Sequence, residues 1–207
     1  INPGTYFLFS RSRNLFQQGK NQEVITLASR IIKREPMFLA AYPLLADTYQ
    51  RLGDKDNALR LYFDYARFSE KKQDKKSLAS AYIGLGWLYH SDGDFPKALD
   101  FYQKAANLSD EGGDRLNEAR ALRKLAVWHI DQGNYDQALE LLTKSSEIDR
   151  ERSYLGEHRY NLACDYFDIG LVFANKDDFA SAKKFYEKSR IYFEKMKLKN
   201  ELSDCFF

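Results

Sequence analysis

Small, apolar and aromatic residues recur every three or four positions along residues 79–108, ASAYIGLGWLYHSDGDFPKALDFYQKAANL. Tyr82, Leu85, Gly86 and Tyr89 precede a Gly93-Asp94 step, and Phe95, Ala98, Tyr102 and Ala105 follow it. That period predicts two amphipathic helices folded against each other across a tight turn.

The rest of the chain repeats this arrangement. Val24, Ala58, Ala138 and Ala182 are the equivalents of Ala98, at intervals of 34, 40, 40 and 44 residues. The longer intervals predict extra helical turns or longer connectors. Ala46, Gly86, Ala126 and Gly170 form a small-residue column in the first helix (A) of each pair, where a bulky side chain would pry neighbouring helices apart; Ala58, Ala98, Ala138 and Ala182 do the same in the second helix (B). Gly19, Gly53, Gly93 and Gly133 suit left-handed turn positions, and Asp54, Asp94, Asn134 and Asp178 suit N-caps of the helices that follow. Asp177 replaces the turn glycine of the last pair, at a modest cost if the backbone is left-handed there. The first pair departs most, with Arg11 and Ser12 where later pairs carry aliphatic and small residues. The charged run 70–76 (EKKQDKK) reads as a solvated helix end and connector, and 107–117 (NLSDEGGDRLN) as a connector broken at Gly112-Gly113.

The order Tyr82, Leu85-Gly86, Tyr89, Gly93, Phe95, Ala98, Tyr102, Ala105 resembles the tetratricopeptide repeat, in an extended-repeat variety. The resemblance implies an all-α, right-handed superhelical solenoid of antiparallel helix pairs. About five repeats are expected, at 5–38, 39–72, 79–112, 118–152 and 162–196, within a single solenoid over 1–207. Residues 198–207 (LKNELSDCFF) read as a partial or capping helix whose apolar end could support self-association, and as a sign that the chain was cut from a longer protein. The implied function is a protein- or peptide-binding scaffold using a concave groove lined by A helices. The alternatives are a sensory or regulatory domain of a multidomain signalling or transcription-regulating protein, and a self-assembly module.

Composition narrows this picture. A net charge of +2 points to no bulk electrostatic partner, so nucleic acid is not expected. The basic bias Lys183, Lys184, Lys188, Arg190, Lys195, Lys197 and Lys199 is interrupted by Glu187 and Glu194 and reads as a solvated face. No apolar run reaches the roughly 18 residues of a membrane-spanning helix. Cys164 and Cys205 have no metal or redox spacing and fit a reducing compartment, hence a cytoplasmic expectation, although a chain starting at Ile1 leaves targeting unread.

No catalytic constellation emerges. His129 stands in the column of Tyr49, Tyr89 and Phe173 and is expected to pack there. His90 is one position past that column, and His158 stands near a helix start. Cys164 and His158 lie on different faces of a helix, no HExxH motif is present, and the carboxylates read as scattered over solvent faces. No enzymatic activity, metal or cofactor is expected.

Removing the packing columns leaves the A-helix residues available to a ligand. The first repeat leaves Tyr6, Phe9, Arg13, Phe16 and Gln17, and the second Ala40, Pro43, Asp47, Gln50 and Arg51. Later repeats leave Ile83, Trp87, His90, Arg120, Arg123, Val127, Ile130, Phe167 and Leu171 as the partner-binding groove. An apolar stripe rimmed by charge predicts an amphipathic or extended peptide carrying an acidic residue for Arg120 or Arg123. Arg120 and Lys124 also resemble the later basic pair of chaperone-tail binders, but Pro43 and Asp47 stand where those proteins need Lys and Asn, and an Asp would repel a carboxylate.

Overall fold

The computed structural model describes residues 2–196, and all of its regular structure is helical. Ten helices follow in order: α1 (Pro3–Gln17), α2 (Asn21–Arg34), α3 (Ala41–Arg51), α4 (Lys55–Lys71), α5 (Lys75–Ser91), α6 (Phe95–Glu111), α7 (Arg115–Asp131), α8 (Tyr135–Glu151), α9 (Gly156–Asn175) and α10 (Phe179–Met196). Odd-numbered helices are the A helices of five pairs and even-numbered ones the B helices. The proposed terminal helix at 198–207 lies outside the described residues.

Three-residue turns explain the 40-residue spacing. From α4 to α8 every helix has 17 residues, and these five helices start 20 residues apart. Gly53, Gly93, Gly113 and Gly133 take φ of 63–77°, the left-handed region in which glycine has no Cβ penalty. The same turn joins α4 to α5, with Gln73 at φ 55° and Asp74 capping Ser77 N–H at 3.0 Å. The second, third and fourth repeats are therefore joined as tightly as the helices within them. The expected connector at 107–117 is replaced by continuing helix: α6 runs to Glu111 and α7 begins at Arg115. Asp177 is left-handed as anticipated, at φ 59°.

Side-chain caps hold most of these starts. Asp54, Asp94, Asp114 and Asp178 accept from the backbone N–H three residues on, at 3.1, 3.3, 3.5 and 3.0 Å. Asn134, also expected to cap, makes no such bond. Pro43 and Pro96 fall in first helical turns, where a missing N–H costs nothing.

Contacts divide the chain within α6 into two compact units, Ile1–Phe101 and Tyr102–Phe207. In the first, α1 to α5 pack each on the next, and α1 also touches α3. Its core gathers Tyr42, Leu45, Ala46, Ala58, Tyr62, Tyr65, Ala81, Leu85 and Leu88. Gly84 is where α5 meets Tyr62, since a Cβ there would overlap the ring. In the second unit α7 packs on α8, α8 on α9 and α9 on α10, and the A helices α7 and α9 also touch. Its core gathers Ala126, Ile130, Ala138, Leu142, Ile169 and Val172, with Phe173 stacked on Phe185 at 5.6 Å. Gly170 lies against Tyr186, whose ring a Cβ would approach to 2.7 Å. His129 packs as its column requires, 4.8 Å from Trp128, and burial holds its imidazole below the usual value.

Candidate functional site

In the first unit α1 and α3 enclose an open pocket of about 420 Å³ lined by Phe16, Asp47, Gln50 and Arg51. All four belong to the A-helix residues left over once the packing columns are removed. The Arg51 guanidinium lies 3.5 Å from the Phe16 ring centroid and its Nη1 donates to the Phe16 carbonyl at 3.0 Å. That pairing fixes a cation against an aromatic face. Asp47 is oriented from behind, because the Tyr62 hydroxyl donates to its Oδ1 at 2.5 Å. Burial, followed by the charge of Asp47, pushes the Tyr62 phenol well up, so it stays a donor. The pocket thus offers an acceptor, an amide and a fixed cation within two turns of α3. On α5, Trp87 is 37% exposed, 5.9 Å from His90, with Ile83 half-buried one turn before it.

The second unit places Arg120, Arg123 and Val127 on α7 and Phe167 and Leu171 on the neighbouring α9. Leu171 is 36% exposed, and Phe167 is half-buried against Tyr186 at 5.3 Å. Arg120 reaches Glu157 at 3.7 Å and remains partly exposed. Ile130, expected on the groove, is buried beside Ala126 and Leu142. The tight turn after Asp131 brings α8 over the end of α7, which puts that position inside.

Arg123 is not a bare cation. Its side chain is 18% exposed, with Nη1 3.3 Å from Asp168 and Nε 4.0 Å from Asp165. Burial opposes its charge, but Asp168, with Cys164 and Asp165 behind it, raises its pKa. Lys124 next to it is pushed down to about 8, by burial first and then by the Arg123 charge. Burial lifts the Cys164 thiol to about 11, so it is no nucleophile at neutral pH.

The carboxylates are not all on solvent faces, contrary to expectation. Glu118, Asp149, Asp165 and Asp168 are buried. Glu118 pairs with Arg115 at 2.8 Å and Lys144 at 3.5 Å. Asp149 meets His158 Nδ1 at 2.5 Å, and burial, opposed by that hydrogen bond, pushes its carboxyl up to about 6. The Ser145 hydroxyl lies 2.9 Å from Asp165 and 3.0 Å from the Ala119 carbonyl. Among the described residues no group of three His, Cys, Asp or Glu is placed to hold a metal ion.

Five helical hairpins with small-residue columns and tight turns define the repeat, and a family model decides its name. The tetratricopeptide repeat model matches three overlapping stretches, residues 37–111, 77–151 and 118–190. The chain belongs to the tetratricopeptide repeat (TPR) family. Comparison with curated proteins finds no sequence match. Among solved structures the TPR chain is similar to a Signal Transduction ATPase with Numerous Domains (STAND) protein with a tetratricopeptide repeat sensor from Pyrococcus horikoshii, at TM-score 0.75 and 18% identity. That likeness covers 97% of this chain and 31% of the other. It is also similar to the apo form of RapI, at TM-score 0.74 and 13% identity over 94% of this chain and 72% of RapI. A Podospora anserina putative kinesin light chain with TPR-like repeats gives TM-score 0.66 and 16% identity over 95% and 99% of the two chains. At these identities the structures share the fold. TPR hairpins are a protein-interaction scaffold, typically non-enzymatic, and none of the described helices is long and apolar enough to cross a membrane.

Proposed function

We propose that this TPR chain binds protein or peptide segments on its A-helix face. The observation that carries the reading is the α1–α3 pocket, built wholly from A-helix residues outside the packing columns: Phe16, Asp47, Gln50 and Arg51. Trp87 on α5 and Arg120, Phe167 and Leu171 on α7 and α9 extend the same kind of surface within each unit, combining aromatic, aliphatic and Arg contacts typical of interface hot spots. An extended or amphipathic segment with an acidic residue suits it, because Arg120 and Arg51 supply cations near apolar surface. Arg123 contributes beneath this face, holding Asp168, rather than meeting a ligand's charge.

Affinity capture with matched baits tests this. Gln50→Trp fills the α1–α3 pocket, Leu171→Asp spoils the α9 surface, and Phe63→Ala alters an exposed B-helix aromatic as a control. A partner retained by wild type and Phe63→Ala but lost by either A-face variant supports the reading. Loss with Phe63→Ala alone, or equal recovery by all baits, contradicts it.

A second reading is a sensory or regulatory TPR domain in a longer signalling protein. The buried ionisable groups of the second unit favour it, since a plain scaffold needs none of them, and the STAND protein carries its TPR array as a sensor.

A further inference from the structure

Asp165 occupies a column that holds alanine in the three preceding repeats. Four residues before Ile169, it is equivalent to Ala41, Ala81 and Ala121, and all four positions are fully buried. A carboxylate there exchanges water for a site with no solvent, which costs several kcal/mol unless the charge is paired or neutralised.

The contacts of Ser145 bear on which of the two occurs. Its hydroxyl carries one proton, yet its Oγ lies within hydrogen-bond distance of both the Ala119 carbonyl and Asp165 Oδ2. Ser189 holds the equivalent place on α10 and donates to the Ala163 carbonyl at 2.7 Å, the same 26-residue step. The one Ser145 proton can serve only one of these acceptors fully; where it goes to Ala119, as that of Ser189 goes to Ala163, a protonated Asp165 carboxyl completes the second contact as donor.

The surrounding charges agree. From α7, Arg123 lies close to Asp168 and a further 0.7 Å from Asp165, while Arg120 acts on Asp149 and Lys124 on Asp168. From α8, Asp149 faces the site with His158 of α9 as its partner. Asp168 and Cys164 complete α9's own groups. From α10, Lys188 is turned to the rings of Phe185 and Tyr166, at 4.5 and 5.2 Å. Arg123 thus serves Asp168 first. Burial pushes the Asp165 carboxyl well above the usual range, opposed by Arg123 and by the Ser145 contact, with the negative charges of Asp149 and Asp168 adding to it.

We propose that Asp165 is held as a neutral carboxylic acid donating its proton to Ser145, and that this proton joins α9 to α7 and α8 as a pH-sensitive joint beneath the α7–α9 face. Hydroxide removes the proton as water, leaving a buried anion beside the Ser145 oxygen and weakening the joint. This goes beyond the binding reading and does not depend on it.

Carboxyl-carbon NMR of the full chain labelled at Asp Cγ tests it, with Asp165 assigned through its Cβ correlation. At about pH 7 the Asp165 resonance is expected at the protonated position, moving only in alkaline buffer, whereas an exposed Asp titrates near 3.9. Asp165→Asn, whose amide can donate to Ser145, is expected to fold and to flatten the loss of stability on alkalinisation. A carboxylate resonance at about pH 7 overturns the proposal. So does an Asp165→Asn protein that folds but keeps the wild-type alkaline profile; if that variant fails to fold, the wild-type resonance still decides.

Discussion

Gly84 of α5 lies against the ring of Tyr62 of α4 so closely that a single added methyl group would enter the ring. Tyr62 cannot swing away freely, because it is buried and its hydroxyl is bonded to Asp47. In an exposed helix, Gly→Ala is worth about 1 kcal/mol of added stability. Here overpacking costs about 1–3 kcal/mol. Gly84→Ala is therefore expected to lower stability in urea denaturation, and Tyr62→Ala in the same chain should turn its effect favourable.

Arg123 and Arg120 share α7 but should behave differently. Removing Arg123 leaves the Asp168 carboxylate without its cation in a buried site, so Arg123→Ala should destabilise by about 3 kcal/mol or more. Arg120 makes one long contact at the surface, and Arg120→Ala should stay within about 0.5 kcal/mol. Paired denaturation curves check both.

The buried Asp149 carboxyl gives the second unit a defined pH response. A carboxyl raised to about 6 in the fold binds its proton more tightly there than in the unfolded chain. Its stabilising effect is complete below its unfolded value near 3.9 and is lost as pH rises through about 6. Asp149→Asn should remove that part of the slope, measured as the difference in denaturation midpoint between about pH 5 and pH 7.5.

Two turn residues of similar sequence have unequal roles. Asp114 caps Asn117 through its backbone N–H and also accepts from the Asn117 side chain at 2.8 Å, whereas Asn134 makes no capping bond. Asp114→Ala should cost about 1 kcal/mol and Asn134→Ala a few tenths, read from thermal unfolding.

What could be read from the residues follows from how few solutions each position allows. Ala46, Ala58, Ala126 and Ala138 sit where helices nearly touch, and Gly53, Gly93 and Gly133 have positive φ, so a small set of residue types marks each place. The charged run 70–76 reads as a helix end and connector, and the structure ends α4 at Lys71 and starts α5 at Lys75; what the run does not reveal is that Gln73 takes the left-handed place of a glycine, at φ 55°. The close approach of Gly84 to Tyr62 is not legible in the sequence, since it depends on how α5 lies on α4. The burial of Asp149, Asp165 and Asp168 was missed because an isolated carboxylate in a helix reads as solvent-facing. Comparing Asp165 with Ala41, Ala81 and Ala121 was the way to find it. Arg123 stood among candidate ligand contacts because Asp168, 45 residues away, is invisible to local spacing.

Site-specific photo-crosslinking tests the central claim, that partners engage the A-helix face. A photoreactive phenylalanine analogue would be placed singly at Trp87, at Leu171, and at Phe179, which begins α10 and is 67% exposed against 37% and 36% for the other two. Exposure alone would favour Phe179. The account predicts partner crosslinks from the positions of Trp87 or Leu171 and none from that of Phe179. Crosslinks confined to Phe179 would contradict it.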